Sequence, residues 1–212
     1  MMRHMDLSNP LATITPTLDA GVLQVLATTT GGRTAGEVHR QLQRGSDSGI
    51  RRVLERLTLQ GVVNADRTHR FPLYALNRHH VAAPYIEGLA SLRQAVVASL
   101  RRELLGWAQP PLHAGIFGSF ARGEAHEASD IDLLLVRPTG LVEGQDEEWL
   151  EAIGRLRAAV EGWTGNEAQI LDVAPETLAA MARSRDPLVE SWRRDEVHLT
   201  GVDLRALLGT SL

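Results

Sequence analysis

The sequence predicts an α/β (α+β) protein in two parts joined by a helix, and three observations carry that prediction. Residues 1–80 contain three segments of helical apolar period, followed by two short β-type runs. Between Pro84 and Pro110 the apolar residues again recur at helical spacing. Beyond Pro110, short apolar strands alternate with helical segments, the pattern that builds a sheet with helices packed on it. The expected organisation is an N-terminal domain over 1–80, a connecting helix over 81–109 and a C-terminal domain over 110–212.

The first helix is expected over Leu18–Ala27, where Leu18, Val22, Leu23, Val25 and Leu26 form one apolar face, and Thr28 to Gly32 end it. Thr34 followed by Glu37 has the spacing of a capping box, opening a short helix over Ala35–Leu42. Gly45-Ser46-Asp47 makes a turn, and a longer helix runs from about Ser48 to Gln60. That helix turns Ile50, Val53, Leu54 and Leu57 inward and Arg51, Arg52 and Arg56 outward. A strand starting at Gly61, a turn over Asp66–Arg70 and a returning strand over Phe71–Leu76 complete the region. Helix, helix, helix, hairpin is the element order of a winged helix-turn-helix, and the stretch resembles the winged-helix domains of bacterial transcriptional regulators. The resemblance implies that Arg51, Arg52 and Arg56 face the major groove of double-stranded DNA, with Arg67, His69 and Arg70 on the wing. A solvated arginine face and a protein-docking or dimerisation role are the alternatives, because a fold does not fix a function.

In the connecting helix, Ile86, Leu89, Leu92, Val96, Val97, Leu100, Leu104 and Leu105 line one face. Such a helix serves as a linker, as the seam of a homodimer, or as a core element of the neighbouring domain. Pro110-Pro111 closes it.

The C-terminal half carries the chemistry. Leu112–Phe117 reads as a buried strand, Gly118 permits a backbone approach that a side chain would forbid, and Ser119 opens a short helix to Gly123. After the loop Glu124–Ser129, Asp130 and Asp132 flank Ile131 at the start of a second strand, Ile131–Val136. Residues i and i+2 of a strand share a face, so the two carboxylates aim hard oxygen donors at one spot, the donor set that Mg²⁺ takes together with phosphate oxygens and water. A helix over Asp146–Trp163, a strand over Glu167–Val173, helices over Pro175–Ser184 and Pro187–Arg194, and a short terminal element around Val197–Leu208 follow.

Gly118-Ser119, ten residues, then Asp130-Ile131-Asp132, with Gly115, Arg122, Gly123 and Ser129 around them, resemble the nucleotidyltransferase superfamily that includes DNA polymerase beta, most closely its minimal bacterial members. The resemblance implies a small mixed sheet and transfer of a nucleoside monophosphate from a nucleoside triphosphate, ATP first among them, to an acceptor of unknown identity, a protein or an RNA included. It implies two Mg²⁺ ions on Asp130 and Asp132 when nucleotide is bound, and phosphate contacts from Gly118, Ser119, Arg122 and Ser129. Arg122 has a second option, pairing with Glu124 or Glu127. At the place of the family's third carboxylate stands Gln169, a neutral residue; Glu167, on the same face of a regular strand, is the substitute donor to the metal, and Asp172 points to the opposite face. The alternative function is a transcriptional regulator or antitoxin-type protein that binds nucleotide without efficient turnover.

His113 and His126 read as surface or strand-edge residues, Trp149, Trp163 and Trp192 as core or interface residues, and Gly165-Asn166 as a helix stop near the site. Cysteine is absent, which excludes disulfides and thiolate metal sites. No apolar run approaches the ~20 residues that span a bilayer, and the start lacks a secretory signal's apolar core, so a cytoplasmic location is expected. Residues 1–80 hold ten Arg against six Asp and Glu, whereas residues 81–212 hold twelve Arg against twenty, so the N-terminal part is the one suited to a polyanion.

Overall fold

The structure is a computed structural model and describes residues 5–126, 128–141 and 146–209. It divides into two compact units, Asn9–Arg93 and a second made of Met1–Ser8 with Gln94–Leu212. Among the described residues no helix is long and apolar enough to cross a membrane.

In the first unit a 3₁₀ turn at Pro10–Thr13 precedes α1 (Leu18–Ala27), α2 (Ala35–Leu42), α3 (Asp47–Leu59), the hairpin β1 (Val63–Asp66) and β2 (Leu73–Leu76), and α4 (Ala83–Ala90). The capping box forms: Thr34 accepts the Glu37 N–H and the Glu37 side chain accepts the Thr34 N–H. Ser46 caps α3 by accepting from the Gly49 N–H at 3.1 Å. β1 and β2 are antiparallel with Val63 opposite Leu76, and Arg33 adds a single antiparallel bridge to β2, exchanging two 2.8 Å backbone hydrogen bonds with Tyr74. Val22, Leu26, Val38, Ile50, Leu54 and Tyr74 share the core.

The single helix expected over 81–109 is instead α4 followed by α5 (Leu92–Leu105). Ser91 marks the break: its N–H is shared between the Glu87 and Gly88 carbonyls, and its hydroxyl donates back to the Gly88 carbonyl at 2.9 Å. A serine that bonds the preceding turn tightens and bends a helix. The boundary between the two units falls just beyond it, so α4 belongs to the first unit and α5 begins at the boundary.

The second unit is built on a mixed sheet of order β5-β4-β3-β6: β3 (His113–Phe117), β4 (Ile131–Val136), β5 (Ala168–Val173) and β6 (Val197–Gly201), with helices α6 (Gly118–Arg122), α7 (Glu147–Thr164), α8 (Pro175–Arg183), α9 (Pro187–Asp195) and α10 (Leu204–Leu207). β3 runs antiparallel to β4 and β6, and β4 is parallel to β5, the pair bridged by α7. Strand alternation puts His113, Gly115 and Phe117 on one face with Asp132, Leu134 and Val136. Leu134, Val136, Val173, Leu178, Val189 and Trp192 form a core on that face. Residues of the opposite face, Ile116, Leu133 and Leu135, are fully buried as well, so β3 and β4 read as near-continuous apolar runs because both faces are covered.

The start of the chain is part of this unit. Met5 donates its N–H to the Asn166 Oδ1 at 3.0 Å and receives the Asn166 amide at its carbonyl at 3.3 Å, and Ser8 donates to the Ala125 carbonyl at 3.0 Å. Asn166 is fully buried and also donates to the Ser129 carbonyl at 2.9 Å. The residue expected to mark a helix stop is therefore the peg that fixes the chain one step ahead of Asp130.

Candidate functional site

The site forms where β3 ends and β4 begins. Phe117 pairs with Asp132 across the antiparallel ladder, so the chain leaving β3 passes directly over the Asp132 side chain. Gly118 takes φ +70, and a Cβ at that position would collide with the Asp132 carboxylate. Conformation and space both require glycine there. α6 then starts at once, is anchored by the fully buried Phe120, and stops at Gly123 in the left-handed region. Ser119, the first residue after the glycine, is only partly buried.

Asp130 and Asp132 interact as like charges. Burial pushes the Asp132 carboxyl above its usual range, the Asp130 charge adds to the rise, and Arg122 opposes it. A half-buried carboxylate whose charge is disfavoured by burial and by a second carboxylate two residues away is a donor set that a hard dication satisfies. The residues present thus fit Mg²⁺ on donor chemistry and placement alike.

Arg122 does not stand free toward this spot. Its Nε donates to Glu124 at 2.7 Å and a terminal nitrogen lies 3.7 Å from Asp195. Glu124 is a partner expected from the sequence; Asp195 is an additional one, which arrives from the end of α9 and is itself held by Arg194 at 2.9 Å, and Glu127 lies outside the described residues. Ser129 is buried, and its hydroxyl accepts the His126 N–H at 3.0 Å, so that group builds the turn before Asp130. His126 is exposed.

On the other side of Asp132, the parallel register pairs it with Gln169, which puts the neutral amide beside the carboxylate pair. Glu167 sits one residue ahead of β5, exposed, its carbonyl accepting the Ile131 N–H at 2.9 Å. Arg157 and Glu161 of α7 share a shallow depression with Glu167, Ala168 and Gln169. Their i, i+4 spacing puts these two on one helix face, but no motif in the chain sets them apart as site residues. Asp172 lies on the opposite face, as its strand position requires. There it takes a bidentate pair from the buried Arg137 at 2.8–3.0 Å and a hydrogen bond from the Trp149 indole at 3.2 Å. Trp149 and Trp192 are buried, whereas Trp163 is 43% exposed.

The arginines expected to meet DNA lie in the first unit. Arg51, Arg52 and Arg56 are exposed on α3, and Arg67 and Arg70 in the hairpin loop. Arg51 pairs with Asp47 at 2.7 Å, and Arg56 pairs with Asp19 and with Gln60. Arg70 lies over the Phe71 ring, 5.3 Å from its centroid. The ion pairs are surface contacts, weak enough to exchange for a phosphate.

No curated protein matches the chain. Among solved structures it is similar to a toxin-antitoxin with AMP-PNP, at 19% identity over 54% of this chain and 80% of that one, with a TM-score of 0.35. It is similar to a mutant of the toxin-antitoxin MntA-HpeT at 16% identity, over 55% of this chain and 80% of that one, with a TM-score of 0.33. A structure described as a minimal nucleotidyltransferase is 31% identical over 52% of this chain and 92% of that one, with a TM-score of 0.32. The family model described as a nucleotidyltransferase domain matches residues 100–170, the stretch that holds Gly118-Ser119, Asp130-Ile131-Asp132 and Gln169, and it is this domain that the C-terminal part of the chain carries.

Proposed function

We propose that the C-terminal unit binds a nucleoside triphosphate with Mg²⁺ and transfers its nucleoside monophosphate to an acceptor hydroxyl, releasing pyrophosphate. The observation that carries the reading is Asp132 pressed against Gly118 with Asp130 beside it. Asp130 and Asp132 hold the cation; Ser119 and Gly118 take phosphate oxygens; Arg122, released from Glu124, adds positive charge near the triphosphate. When bound, the cation neutralises the phosphates and polarises the phosphoryl group under attack. The acceptor must lose a proton as its oxygen bonds to phosphorus. Gln169 cannot take it, so Glu167 is assigned that role, at the edge of the same strand. ATP is the first nucleotide to test, and a protein or an RNA the first acceptors.

A second reading follows from Gln169 itself. A neutral side chain in register with Asp132 suits a domain that senses nucleotide and turns it over poorly, and an antitoxin-type or regulatory protein would use it so. For the N-terminal unit we propose a winged helix-turn-helix, with α3 in the major groove of double-stranded DNA, the loop after β1 on backbone phosphates and a homodimer supplying the second half-site.

The deciding experiment incubates the protein with each labelled triphosphate and Mg²⁺, alone and with cell lysate. Transfer of label that is abolished by Asp130→Ala or Asp132→Ala supports the enzyme. Tight nucleotide binding without transfer, with transfer appearing in Gln169→Asp, supports the sensor. For DNA, the slope of log affinity against log salt should flatten by about one unit for each phosphate-contacting arginine replaced, and no retention at low salt would rule out the nucleic-acid role.

A further inference from the structure

At the far end of β3 from the aspartates, His113, Glu196 and His198 converge, their ligand atoms all within 4.8 Å of one another. His113 has no solvent exposure and Glu196 keeps only 11% of its side chain exposed. The His113 Nδ1 lies 2.8 Å from the Val202 carbonyl. A carbonyl only accepts, so Nδ1 carries the proton and donates it. That leaves Nε2 turned to the Glu196 Oε1, 2.9 Å away, yet the two atoms are not aligned as a hydrogen bond, and neither finds another partner. The His198 Nδ1 is also buried without a partner.

Three further features hold the group in place. Gly115 has no side chain, and a Cβ there would occupy the position of the Glu196 carboxylate. β6 slips its register between Ala114 and Gly115, so that His198 rather than Leu199 faces Gly115, and a bulge of this kind re-aims a side chain. Arg101 donates to the His198 carbonyl at 2.7 Å. A cleft that opens on Glu196 and His198, rimmed by Arg193, Arg194 and Arg205, gives access.

We propose that His113, Glu196 and His198 bind a divalent transition-metal ion of the zinc or iron(II) class, distinct from the cation at Asp130 and Asp132. Two imidazoles and a carboxylate with one or more open positions are donors such ions take. Donors bound at about 2.0–2.2 Å to one ion lie roughly 3–4 Å apart, so small side-chain rotations close the set. The Nδ1–H to Val202 is the outer hydrogen bond that a ligating histidine usually makes. The ion fastens the edge strand β6 and the end of α9 to β3. An ion pair between a protonated His113 and Glu196 needs no metal and leaves His198 idle; it is the competing account.

The test loads untagged full-length protein with Zn²⁺ or, anaerobically, Fe²⁺, removes free metal, and measures metal content together with the Tm. The expected result is one ion per chain and a higher Tm, both retained in the Asp130→Asn/Asp132→Asn variant. His198→Ala, which changes a partly buried ring and leaves the His113–Glu196 pair in place, should weaken binding about tenfold or more and abolish the Tm rise. Cobalt(II) should give visible d–d bands in the wild type and lose them in His198→Ala. No stoichiometric metal in the wild type, or metal held equally well by His198→Ala and Glu196→Gln, overturns the assignment.

Discussion

Asp132 is a residue set against its own fold. Its carboxyl is raised above the ordinary 3.8 by burial first and by Asp130 second. A carboxylate with a raised folded-state value favours the folded protein only below its unfolded value, and that advantage is lost as pH rises through the folded one. At neutral pH and without divalent cations, the charge on Asp132 therefore costs stability. Asp132→Asn should raise the Tm of metal-free protein by a few degrees at pH 7 and leave it nearly unchanged below the ordinary aspartate range. The same variant should lose Mg²⁺-dependent nucleotide binding, measured by calorimetry. An unaltered Tm at pH 7 would show that the Asp130–Asp132 repulsion is already relieved by solvent. Gly118 and both aspartates were legible in the sequence because their constraint is local, a tight turn from one strand to a helix. Asp195 was not, since nothing near Arg122 in the chain announces a partner from the end of α9.

At the scale of elements, β4 is the member that everything else registers against. It pairs with β3 on one side and β5 on the other, and those two registers place Gly118 and Gln169 on either side of Asp132. The far end of the β4–β5 pair is held by Arg137 and Asp172, with side chains only 4% and 16% exposed. Asp172→Ala would leave the Arg137 guanidinium buried and without its bidentate partner, and removing one member of such a pair costs about 3–5 kcal/mol. Urea unfolding should show a loss of that size, while Asp172→Asn, which keeps a hydrogen-bond acceptor, should lose less. Most elements follow from periodicity and caps, and the capping box at Thr34 and Glu37 forms as the sequence predicts. The expected helix over 81–109 differs because apolar spacing continues across Ser91, and periodicity does not register a shared carbonyl bond at one residue.

Across the whole chain, Met5 to Ser8 fold with the unit that begins at Gln94 rather than with the residues that follow them. Leu7 is 1% exposed, and Met5 satisfies both ends of the buried Asn166 amide. Deleting residues 1–8 should destabilise the C-terminal unit by roughly 4–8 kcal/mol, from the lost burial of Met5 and Leu7 and the loss of both Met5 hydrogen bonds to Asn166. It should also loosen the turn before Asp130 and weaken nucleotide binding, which thermal melts with and without Mg²⁺ and ATP would register. The order of elements, the glycine-serine turn and the paired aspartates are readable from the amino-acid string, because turn chemistry and the two- and 3.6-residue periods act within a few positions. Only folding sets Asn166 against Met5, slips the β6 register beside Gly115, and brings His113 together with Glu196 and His198, more than eighty positions further on. Strand register and side-chain convergence arise from burial shared between distant segments, and no local pattern carries them.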